Sequence, residues 1–97
     1  VIKLTTFDGL LVSFDAARFV GIPHEIKESL ALWVVHALRP GSCVVALLEH
    51  DLARADQHAH PTTRPHLPAI VEWIATYVPA EAKGQRGLKL WQGYSRW

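Results

Sequence analysis

Apolar positions along this chain fall into two kinds of period. From Ile26 onward, Ile26, Leu30, Trp33, Val34, Ala37 and Leu38 recur at i, i+4, i+7, i+8, i+11 and i+12, which lays them on one face of a helix. Pro23 suits a first helical position, and Glu25 and Glu28 favour the positive end of the helix dipole. "RPGS" closes that helix. Ser42 is then a candidate N-cap for a second helix that carries Val44, Leu47, Leu48 and Leu52 and runs to about Ala55. A third is predicted from Pro65 or Pro68, with Leu67, Ile70, Val71, Ile74, Tyr77 and Val78 on its apolar side, and Pro79 stops it. A last short helix is expected at 86–92, presenting Leu88 and Trp91 and weakened by Gly87. Leu48 and Ile74 are expected core residues.

The first fifteen residues read differently. "VIKLTTF" and "LLVSF" flank Asp8-Gly9, a dipeptide that favours the two-residue hairpin turn. Pairing across it puts Phe7, Leu10, Val12 and Phe14 on one face and Ile2, Leu4 and Leu11 on the other. The predicted class is α+β, mainly α: a hairpin over 1–15, helices over 23–92 and a tail at 93–97, all in one domain of 97 residues. A hairpin with two partly apolar faces is marginal alone, and its free edge is a template for a second chain. A homodimer through the N-terminal hairpin is therefore expected.

Apolar residues are 49% of the chain and charged ones 20%, which excludes a disordered segment. The longest apolar run, "LALWVV", is far too short for a membrane span. No signal-peptide pattern is visible, and the single cysteine, Cys43, excludes an internal disulfide framework and suits the cytoplasm. Charge is uneven. Residues 83–97 hold Lys83, Arg86, Lys89 and Arg96 and no acid, whereas 1–82 carry six bases and nine acids. A dedicated DNA-binding domain would be basic across a whole face. The would-be recognition helix of a helix–turn–helix at "ALRPGSCVVALLEHDL" offers Val44, Val45, Glu49 and Asp51, which suit neither phosphates nor base edges.

"PGSCVVALLEHDL", then "LPAIVEWIATYVPAEAKG" and "LW", resemble a small uncharacterised family common in tailed phages and prophages. Its pattern runs approximately PGSFLxAVLxNDL, then LPxIVxxIYNxxPxxxWGSxExVxxW. Pro40, Gly41, Ser42, Ala46, Leu48, Asp51 and Leu52 coincide with it, as do Leu67, Pro68, Ile70, Val71, Ile74, Pro79 and Gly84, with Trp91 for the closing tryptophan. Cys43 stands for a phenylalanine, His50 and Thr76 for asparagines, and Lys83 and Gln85 for the tryptophan and serine of "WGS". The resemblance implies a helical fold and a phage origin, and carries no activity with it.

Candidate chemistry is sparse. His50, His58, His60 and His66 cluster with Asp51 and Asp56, but a structural zinc site commonly uses cysteine pairs and this chain has one cysteine. The histidines read as surface groups, and no metal or cofactor is expected. Asp51 and Ser42 read as structural polar residues, Asp51 by accepting backbone N–H groups or pairing with Arg54 or Arg64. Cys43, at a helix start, reads as buried. No catalytic residue is assigned. The C-terminal stretch mixes Lys89 and Arg96 with Trp91, Tyr94 and Trp97, a composition suited to core anchors, a protein-binding patch or base stacking. The expectation is a non-enzymatic phage accessory protein that binds a host or phage protein through these five residues, with nucleic-acid binding as the alternative.

Overall fold

A computed structural model describes residues 4–96. All regular structure among them is helical: α1 (Phe7–Ser13), α2 (His24–His36), α3 (Ser42–Leu48), α4 (Leu52–His58), α5 (Leu67–Tyr77) and α6 (Gly84–Leu90), with 3-10 turns at Arg64–His66, Ala80–Ala82 and Tyr94–Arg96.

The hairpin expectation is overturned, and with it the α+β class. Asp8-Gly9 lies inside α1, so no strand edge exists there for a homodimer to use. Val1–Lys3, part of the expected first strand, lie outside the described residues. The reason is local. Phe7, Leu10, Leu11 and Phe14 stand at i, i+3, i+4 and i+7, a helical stripe as well as a set that a hairpin could align. Thr6 is extended, and its hydroxyl accepts the Gly9 N–H at 3.1 Å, which caps the helix. Asp8 then sits in the first turn, where the dipole favours an acid. As a helix, the segment seals Leu10 and Phe14 completely in the core.

Three tryptophans organise that core. Trp73 is fully buried and stacks on Phe14, with ring centroids 4.4 Å apart and planes 12° from parallel. Its Nε1–H donates to Ser13 Oγ at 2.8 Å, and the Ser13 hydroxyl donates onward to the Leu10 carbonyl. Trp33 Nε1–H donates to Ala82 O at 3.1 Å, joining α2 to the turn before α6. Trp91 Nε1–H reaches Trp33 O and Val34 O, both at 3.1 Å, and so satisfies carbonyls at the open end of α2. Each buried indole N–H is thus spent on a segment distant in sequence, as burial in an apolar interior requires.

Leu48 and Ile74 are core residues as expected. The α2 face is also close to its prediction, with Leu30, Trp33 and Val34 buried, although Leu38 lies beyond the helix end and is exposed. Pro23 is the residue before α2, not its first. The helix predicted from Ser42 to Ala55 is two helices. His50 takes a left-handed conformation (φ 62°), a region that histidine, asparagine and aspartate enter more readily than most residues, and the chain turns there. Gly87 is not merely a weak point in α6. A Cβ there would stand 2.5 Å from the Ala82 carbonyl carbon, so glycine is what lets α6 close onto the 80–82 turn.

Candidate functional site

The C-terminal segment folds back over the end of α2. The fit is made by Gly93, whose missing Cβ leaves room for the Val35 carbonyl, and by a 3.2 Å hydrogen bond between His36 Nδ1 and Ser95 Oγ. Trp91 is almost wholly buried by this arrangement. Tyr94 meets it edge-on, with centroids 5.3 Å apart and planes at 86°, and is half-buried. Burial first, and then the charge of Glu81, push the Tyr94 hydroxyl above its ordinary pKa. Of the four described residues among the five expected to face a partner, Lys89 and Arg96 are exposed, and Trp91 and Tyr94 are not. Trp91 is a core anchor, and Trp97 lies outside the described residues.

Between the Ala80–Ala82 turn and α6 lies an open cleft of about 530 Å³. Leu90 and the edge of Trp91 supply its apolar wall, and Lys83, Arg86, Glu81 and Gln92 its polar rim. Leu90 is 61% exposed. The charges lean to the basic side, two bases against one acid on the rim. Elsewhere three arginines are matched to acids, Arg18 with Glu72 at 2.8 Å, Arg54 with Glu49 at 2.8 Å and Arg64 with Asp56 at 3.4 Å, while Lys27 and Arg39 join no ion pair among the described residues. Lys83, Arg86, Lys89 and Arg96 take part in none of the ion pairs among the described residues. Composition alone pointed to these four cations. The cleft itself depends on the 80–82 turn, which no periodic pattern signals.

The histidine stretch disperses. His50 sits at the α3–α4 corner, and His66 lies beside Gly21. His58 and His60 line a shallow groove of about 420 Å³ with Glu25, Ser29, Cys43 and Thr63. The Thr62 N–H donates to His60 Nδ1 at 3.2 Å, and the Thr62 hydroxyl lies 2.8 Å from the same nitrogen. Among the described residues, no three His, Cys, Asp or Glu side chains come together in a way that could hold a metal ion.

Asp51 is structural in a specific sense. It is the N-cap of α4, and its Oδ1 accepts the Arg54 N–H at 3.0 Å. Ser42 does not cap α3. Gly41 occupies that position and Ser42 is the first helical residue, with its hydroxyl unused for capping. Cys43 is half-buried in the groove, and burial raises its thiol pKa. It should therefore be a poor nucleophile despite lying near a helix start. Its rate of alkylation by iodoacetamide is expected to reach half-maximum at a higher pH in the folded protein than in the denatured chain. Coincident pH profiles, followed by mass spectrometry, would show a freely solvated thiol.

No protein-family model, curated protein or solved structure matches this chain. No helix among the described residues is long and apolar enough to cross a membrane. What the chain does must be read from its own side chains.

Proposed function

We propose that this chain is a non-enzymatic phage or prophage accessory protein that acts in the cytoplasm of its bacterial host by binding a protein. The surface assigned to that role is the cleft beside α6, and the partner is an acidic segment that carries an apolar side chain. The observation that carries this reading is a cleft with an exposed Leu90 and two unpaired cations, Lys83 and Arg86, on its rim, in a segment that also holds the unpaired Lys89 and Arg96. An apolar centre with a charged rim is the usual anatomy of a protein contact. A rim with two bases to one acid, Lys83 and Arg86 against Glu81, favours partners of negative charge and speeds their encounter. The phage origin is supported by the likeness over Pro40–Trp91.

The nucleic-acid alternative needs aromatic faces open to bases. Trp91 is in the core and the Tyr94 ring packs against it, so the protein reading is preferred.

Immobilised wild-type protein is expected to capture an acidic protein from bacterial lysate, identified by mass spectrometry. The double variant Arg86→Glu/Lys89→Glu should hold that protein about tenfold or more less tightly, because like charges then face each other. Arg96→Ala and Trp97→Ala should weaken capture to a smaller degree. Affinity for a labelled single-stranded oligonucleotide should be negligible at physiological salt. Tight binding with a steep linear log–log salt dependence would transfer the surface to nucleic acid.

A further inference from the structure

We propose that the groove between α4 and α5 is a two-fold contact with a second copy of this chain. Its lining is mainly apolar, its volume is about 570 Å³, and it shares no lining residue with the basic cleft. Leu52, the first residue of α4, is 56% exposed on one wall. Leu67, Pro68 and Val71, from the first turns of α5, form the other. The remaining lining residues are Asp56 and Arg64, one acid and one base. Arg64 Nε lies 3.4 Å from Asp56 Oδ1, and both side chains are about half exposed.

The charge pattern identifies the occupant. A two-fold contact brings one patch against itself, so the patch must be its own complement. An apolar centre flanked by one acid and one base meets that condition. Across the axis, Arg64 of each copy faces Asp56 of the other, and the four charges alternate in sign, so that the attractive neighbours outnumber the repulsive ones. The α6 cleft fits that condition less well, because its two bases, Lys83 and Arg86, outnumber its one acid, Glu81, and the excess positive charge repels its own copy. Four apolar side chains and one exchanged pair per copy make a small contact, so the association is weak and concentration-dependent. This contact needs no strand edge.

Sedimentation equilibrium on the wild-type chain is expected to show monomer and dimer in exchange between micromolar and millimolar concentration. Leu52→Asp, at an exposed position that leaves the core intact, should be monomeric throughout. Asp56→Arg and Arg64→Asp should each weaken association about tenfold or more, since each sets like charges across the axis. Mixing these two variants should restore a dimer containing one of each, because every charge then meets its opposite. A wild-type chain monomeric at every concentration overturns the proposal and leaves the groove to some other partner. A dimer indifferent to Leu52→Asp overturns it as well, as does a mixture that stays monomeric while both variants keep their helical circular dichroism. If either charge variant loses that signal, Leu52→Asp decides alone.

Discussion

Trp73→Ala is expected to remove most of the protein's stability. The side chain is fully buried, so truncation leaves a large cavity between α1 and α5. Tryptophan-to-alanine changes in cores cost about 3–5 kcal/mol, and a domain of this size has only about 5–15 kcal/mol in total. The stack on Phe14 and the hydrogen bond to Ser13 are lost together. Trp73→Phe separates them, since it keeps an aromatic ring near Phe14 and drops the N–H. Its cost should be clearly smaller. A double-mutant cycle with Ser13→Ala should return a coupling of about 0.5–1.5 kcal/mol for the hydrogen bond. All three numbers come from denaturant midpoints. A Trp73→Ala loss below about 1 kcal/mol would mean that α1 does not dock on α5 as described.

That docking is the part of the fold hardest to read from sequence. In a window of eight residues, Phe7, Leu10, Leu11 and Phe14 satisfy a helical stripe, while Asp8-Gly9 between them satisfies a hairpin turn. What separates the two is tertiary. Trp73 offers a stacking face and an indole donor, and only a helical α1 presents Phe14 and Ser13 to both. Trp73 itself is left out of a stripe built from Ile70, Ile74 and Tyr77, because it widens that stripe by one position. The longer elements were legible because eleven to thirteen residues sample the helical period several times. The break between α3 and α4 was legible in principle. The phage-like pattern has Asn-Asp where this chain has His50-Asp51, and each pair puts a left-handed-tolerant residue before a capping one.

The same contrast holds at the candidate site. The four cations of the C-terminal segment could be counted from composition, since the bases of 83–97 have no acid within that segment. The role of Trp91 could not be. Whether a tryptophan near a basic stretch faces a partner or the core depends on which carbonyls lie open to its N–H, and those belong to α2, nearly sixty residues earlier. The cleft exists because Trp91 turns inward while Leu90, its neighbour, stays outside.

Gly93→Ala is the second change expected to be severe, and a glycine series separates its two causes. Gly93 has φ +85°, and a Cβ there would fall 2.3 Å from Val35 O and 2.9 Å from Ala37 N. These are backbone atoms at the end of α2, so they cannot swing aside as a side-chain tip would. Alanine in a left-handed conformation costs about 1–2 kcal/mol, and overpacking adds typically about 1–3 kcal/mol. Gly84 has φ +73° with open space around it, so Gly84→Ala should show the conformational part alone, about 1–2 kcal/mol. Gly87 has the contact without the positive φ, so Gly87→Ala should show the packing part, here against Glu81 and Ala82. Gly93→Ala should exceed either and approach their sum in thermal melts. It should also speed amide exchange in the 91–96 segment and at the end of α2, since Trp91 then loses its two carbonyl acceptors. Because Trp91 walls the cleft, partner capture should weaken in Gly93→Ala and not in Gly84→Ala. Equal effects at Gly84 and Gly93 would mean that the C-terminal segment does not lie against Val35, and the cleft beside α6 would go with it.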